Sequence, residues 1–125
     1  MIRSLATGIL LVLVAQIATA EAMTAADVKR CNAMAATLAP KKAEIQQMQE
    51  KRDAMAETVE AKGDIWEELE VHRLASAGHA AQADAAKADY ESSKKDLMKT
   101  EFALQALARQ FNQDIASYNQ SCATK

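Results

Sequence analysis

Six ionisable side chains, Glu67, Glu68, Glu70, His72, His79 and Asp84, are of the types that hold zinc or copper. Glu68 and His72 lie four residues apart and share a face of a helix, and His79 can approach them if the chain turns in between. No His-Glu-x-x-His or comparable ligand spacing is present, and charge runs on helices are usually solvated faces. Met34, Met48 and Met55 offer soft thioethers for copper or for an adaptable binding surface, but their helical spacing reads as core filling. Neither set is assigned as a metal site. No pair of carboxylates and no nucleophile–histidine arrangement has catalytic spacing. No Gly-rich phosphate loop occurs either, so no catalytic or cofactor-binding residue and no cofactor is assigned.

The two remaining chemically distinctive residues are Cys31 and Cys122. They are not arranged as Cys-x-x-Cys, which excludes the usual thiol–disulfide exchange motif. Cys31 lies 47 residues before Gly78 and Cys122 lies 44 residues after it. A chain that folds back near Ser76–Gly78 brings the two sulfurs together at its open end. The expected disulfide closes a loop of about 90 residues, for which chain-entropy reasoning gives up to ~4–5 kcal/mol.

Long helices must position these groups. Residues 21–125 contain one proline, Pro40, and two glycines, Gly63 and Gly78. They are rich in strong helix formers, so they make few and long helices. Thr24-x-x-Asp27 is a capping box for the first. A seam in steps of three and four runs Cys31, Met34, Leu38, Lys41, Ile45, Met48, Arg52, Met55, Val59, Lys62, Trp66, Leu69. The second helix carries a matching seam: Ala80, Ala83, Lys87, Tyr90, Lys94, Leu97, Glu101, Leu104, Ala108, Phe111, Ile115, Tyr118, Cys122. Antiparallel pairing places Leu38 by Ile115, Ile45 by Ala108, Met55 by Met98 or Leu97, and Arg52 by Glu101. Lys62 falls near Glu91 and Tyr90, and Trp66 and Leu69 cover Ala80 and Ala83. Gly78 is expected to end the first helix in a left-handed conformation, and Pro40 is expected to kink it.

The expected fold class is all-α: a long antiparallel, coiled-coil-like two-helix hairpin, kinked at Pro40 and stapled by a disulfide at its open end. A signal peptide is read over residues 1–20, from Arg3, the apolar run Leu5–Ile17 and Ala18-Thr19-Ala20, with cleavage after Ala20. Residues 21–125 form one domain, with helices over about 24–75 and 80–120 and a turn at about 75–79. This places the protein in the periplasm or outside the cell, with no stable membrane insertion after cleavage. Without Arg3 and the rest of the signal, 14 basic residues face 17 acidic ones, a net charge of −3. The signs are interspersed without a basic block, which argues against nucleic acid and anionic membrane as partners.

Four apolar residues lie off the seams: Met98 and Phe102 on the second helix, Val71 and Leu74 on the first. They are either ordinary surface hydrophobes or partner contacts, with Phe102 foremost. The function expected from this pattern is non-enzymatic: an exported adaptor, spacer, or chaperone-like or inhibitory binding module. Its partner would be another envelope protein or a second copy in a four-helix bundle. The alternative expectation is a small metal- or ligand-binding protein that uses the acidic and histidine cluster near the turn.

Overall fold

The computed structural model describes residues 22–123; the expected signal segment lies outside them. Helix α1 spans Ala25–Val71 and helix α2 spans Ala77–Tyr118. A single 3₁₀ turn, Arg73–Ala75, joins them, and a π turn, Asn119–Ala123, follows α2. At 1.5 Å per residue the helices are about 70 and 63 Å long. Pairs between them descend in order, from Lys41–Asp114 through Met55–Thr100 to Arg73–Asp84, so the helices run antiparallel. The Cys31–Cys122 disulfide closes the open end, with Cα atoms 5.7 Å apart.

The sequence accounts for where each helix starts. The Thr24 hydroxyl accepts the Asp27 backbone N–H, and the Asp27 carboxylate accepts the Thr24 N–H, which completes the capping box. Ser76 caps α2 by accepting the His79 backbone N–H at 3.2 Å. The return therefore occupies residues 72–76, about three residues earlier than the expected 75–79. Gly78 does not end a helix. It lies inside the first turn of α2, and no described residue has positive φ. The turn is closed instead by the Ala75 N–H bonding to the His72 carbonyl and by the Ser76 cap, so no left-handed residue is needed. Pro40 lies within α1, which continues through it; its exposed position leaves the unmatched carbonyl one turn back near water.

The helices meet along the expected seam. Every seam residue of α1 from Cys31 to Leu69 is buried or half-buried. On α2 the seam departs at two places, where Lys87 and Lys94 are exposed and Ala86 and Ser93, one residue earlier, are half-buried. A straight helix drifts by about 20° per heptad from an ideal 3.5-residue repeat, so a neighbouring position takes over. The interior is thin. Among the described residues only Cys31, Ala83 and Leu104 are buried. Two helices cover only one side of each seam, and larger side chains keep an edge in water.

Polar pairs in and beside the seam match the register. The Lys41 ammonium donates to the Asp114 carboxylate. The Thr100 hydroxyl donates to the Met55 sulfur at 3.4 Å. Lys62 Nζ donates to Asp89 at 2.9 Å and to the Ser93 hydroxyl at 2.8 Å, rather than meeting Glu91. Arg52 does not pair with Glu101; its Nε lies 2.6 Å from its neighbour Asp53. Near the turn, Trp66 stacks on Tyr90 with centroids 5.5 Å apart. A Cβ on Gly63 would come within 3.3 Å of the Tyr90 ring, so the absent side chain makes room for that ring.

Candidate functional site

Among the described residues Val28, Ile65, Val71, Leu74, Met98 and Phe102 are the exposed large apolar side chains, and the last four, expected from the sequence, are the candidate contact surface. Val71 is 80% exposed, Leu74 98%, Phe102 65% and Met98 49%. Val71 is the last residue of α1, and Leu74 is the middle residue of the 3₁₀ turn, so both project from the tip of the hairpin. Met98 and Phe102 are one turn apart on the outer side of α2, near mid-rod. The structure therefore divides the four into a tip pair and a mid-rod pair.

A shallow groove of about 350 Å³ lies beside the tip pair, lined by Trp66, Glu67, Glu70 and Val71. Its aromatic wall is held in place. Trp66 stacks on Tyr90, its indole N–H donates to Glu70 Oε2 at 3.3 Å, and Lys87 Nζ lies 5.6 Å from its ring centroid. Arg73 ties the turn together, donating to Glu70 at 2.7 Å and to Asp84 of α2 at 2.7 Å. These two bonds raise the guanidinium's pKa, and the hydrogen bond from Arg73 holds the Glu70 carboxyl below the ordinary carboxylate range. The groove thus combines an apolar wall, a fixed carboxylate and the free Glu67 carboxylate. That chemistry suits an apolar side chain flanked by a cation.

The histidine and carboxylate cluster is only partly assembled. His72 and His79 approach to 6.3 Å between ring centroids. The His79 Nδ1 is 2.7 Å from the Ser76 hydroxyl, and Glu70 and Asp84 are bound to Arg73. Among the described residues no three His, Cys, Asp or Glu side chains converge as metal ligands. Met34, Met48 and Met55 lie in the seam, each half-buried. Cys31 and Cys122 are joined to each other and carry no free thiol.

The sequence reading missed one set of residues. Ala86, Ser93, Thr100, Leu107, Asp114 and Ser121 recur every seven positions beside the α2 seam, and all are half-buried. Ser93, Thr100 and Asp114 supply the polar partners of Lys62, Met55 and Lys41. Their heptad spacing is visible in the sequence, but apart from Leu107 they are small or polar and give no hydropathy signal. Among the described residues no helix is long and apolar enough to cross a membrane. Compared with protein-family models, curated proteins and solved structures, the chain matches none.

Proposed function

We propose that this is an exported, non-catalytic protein that acts by contact, an adaptor or binding module that recognises other helices through its outer faces. One observation carries this reading. Val71, Leu74, Phe102 and Met98 stand outward from a rod whose two seams already cover each other. Helices normally turn such residues inward, and outward apolar side chains on a narrow scaffold suit helix-to-helix recognition. The grooves along the rod are shallow and open, whereas small-molecule sites enclose most of their ligand. Export is supported by the Cys31–Cys122 bridge, since disulfides persist in oxidising compartments, and by the signal-like first twenty residues.

Photo-crosslinking in cells tests this reading. A photoreactive residue placed at Leu74 or Phe102 is expected to give discrete protein adducts, while one at the exposed Asn32 gives none. Absence of adducts at both tip and mid-rod positions overturns the contact reading.

A further inference from the structure

We infer that one occupant of these outer faces is a second copy of the same chain, the outer face of α2 in one molecule docking on the outer face of α1 in another. This rests on the contact reading above and names its partner. The outer face of α1 carries Asp53, Glu57, Glu60, Asp64, Glu67 and Val71 in steps of four and three, and Leu74 extends it into the turn. All seven residues are exposed. Between positions 53 and 72 there are seven acids and one cation, Lys62, which is committed to the seam through Asp89 and Ser93. The outer face of α2 carries Lys95, Lys99, Phe102, Ala106 and Arg109 at the same steps, all exposed and without an acid among them. The two faces have opposite charge, and each bears a large apolar side chain.

Most of these charges lack partners within the hairpin. Among the described residues, Glu57, Glu60, Asp64 and Glu67 make no ion pair, and neither do Lys95 and Arg109. Lys99 has only the exposed Asp96 one turn away. Laying α2 of one copy parallel to α1 of another puts Phe102 on Val71. The same placement puts Ala106 by Leu74, Lys95 by Asp64, and Lys99 between Glu67 and Glu68. Apolar residues then meet apolar ones, Lys95 and Lys99 meet acids, and Arg109 falls opposite Gly78 in the turn. In the antiparallel placement, by contrast, the registers that pair Lys95 with Glu60 or Glu67 set Phe102 on Asp53 or Glu60. The favoured placement overlaps the tip halves of two oppositely directed rods.

This geometry has a consequence for assembly. The two faces lie on opposite sides of one hairpin, so a pair of molecules using one contact leaves one face of each kind free. The contact is heterologous and does not close on itself. Association therefore proceeds stepwise beyond a dimer, and salt weakens it by screening exposed charges.

Sedimentation of the oxidised chain lacking residues 1–20 is the test. At low ionic strength the weight-average mass is expected to rise with concentration through several multiples of the monomer, and to fall back at high salt. The double variants Lys95→Glu/Lys99→Glu and Asp64→Lys/Glu67→Lys are each expected to sediment as monomers. Their equimolar mixture regains association, because each unlike contact is again acid on base. Circular dichroism confirms that both variants retain the helical fold, as exposed substitutions should. Monomer at every concentration, a closed dimer, or association unchanged by both charge reversals overturns the inference. In the crosslinking experiment, adducts to other proteins without self-adducts would overturn self-docking while leaving the contact reading intact.

Discussion

At the residue scale, Lys41 and Lys62 of the α1 seam find partners on α2 that match the register, whereas Arg52 does not. Lys41 extends an aliphatic stem along the helix contact and delivers its ammonium to Asp114, to which Gln110 also donates. The hydrogen bond from Lys41 holds the Asp114 carboxyl below the ordinary carboxylate range, with Gln110 adding to it. Because the folded-state pKa lies below the unfolded one, the stabilisation is present above the unfolded pKa. It is lost as pH falls through the folded value. Glu70, held down by Arg73, behaves in the same way. Glu70 is exposed and Asp114 only half-buried, so the effect is modest and is screened by salt. Asp114→Asn is expected to lower Tm by no more than a few degrees at neutral pH. It should also reduce the loss of Tm on going from pH 5 to pH 2; an unchanged acid dependence would mean that the pair makes no difference to the fold. The seam positions of Lys41 and Lys62 were legible from spacing alone. Their partners were not, because Asp114 and Ser93 lie one residue before the α2 seam positions expected to face α1.

At the element scale, the turn shows what propensity misses. Glycine near the midpoint suggests a left-handed helix stop, yet Gly78 is helical and Ser76 carries the capping role. A Cβ on Gly78 would meet only the Ser76 Oγ, at an ordinary 3.6 Å. Gly78→Ala is therefore expected to stabilise the hairpin by up to about 0.5–1 kcal/mol, since it restricts the unfolded chain without a clash. Ser76→Ala removes the cap and costs about 1 kcal/mol. Urea unfolding followed by helical circular dichroism measures both, and Trp66, the single tryptophan, reports on the tip. A destabilised Gly78→Ala would return the glycine to the left-handed role. The long extents of α1 and α2 were legible, because breakers are scarce and the capping box is explicit. The location of the turn within three or four residues was not. Arg73, Ser76 and Gly78 each suit a chain reversal, and only the Arg73–Asp84 and Ser76–His79 contacts decide between them.

At the scale of the whole molecule, a rod with a thin interior depends on its covalent staple. Cys31 and Cys122 are 91 residues apart, a separation for which chain-entropy reasoning gives about 4–5 kcal/mol as an upper figure. Reduction is expected to lower stability markedly and to act unevenly. Amide hydrogen exchange should accelerate most near Ala25–Pro40 and in the last turns of α2. The segment around Trp66 and Tyr90 should retain protection, because ring stacking and the Arg73 bonds hold it locally. Uniform acceleration along both helices would mean that the hairpin opens as a single unit. The sequence by itself determined that there are two long helices, which residues line the α1 seam and most of the α2 seam, and that the cysteines meet, because heptad spacing and chain length leave little other way to bury those stripes. Only the tertiary structure decided which polar side chains close the seam and that the turn is capped rather than made by glycine. Those outcomes depend on shifts of one residue, about 100° of rotation around a helix, and hydropathy spacing does not resolve a step so small.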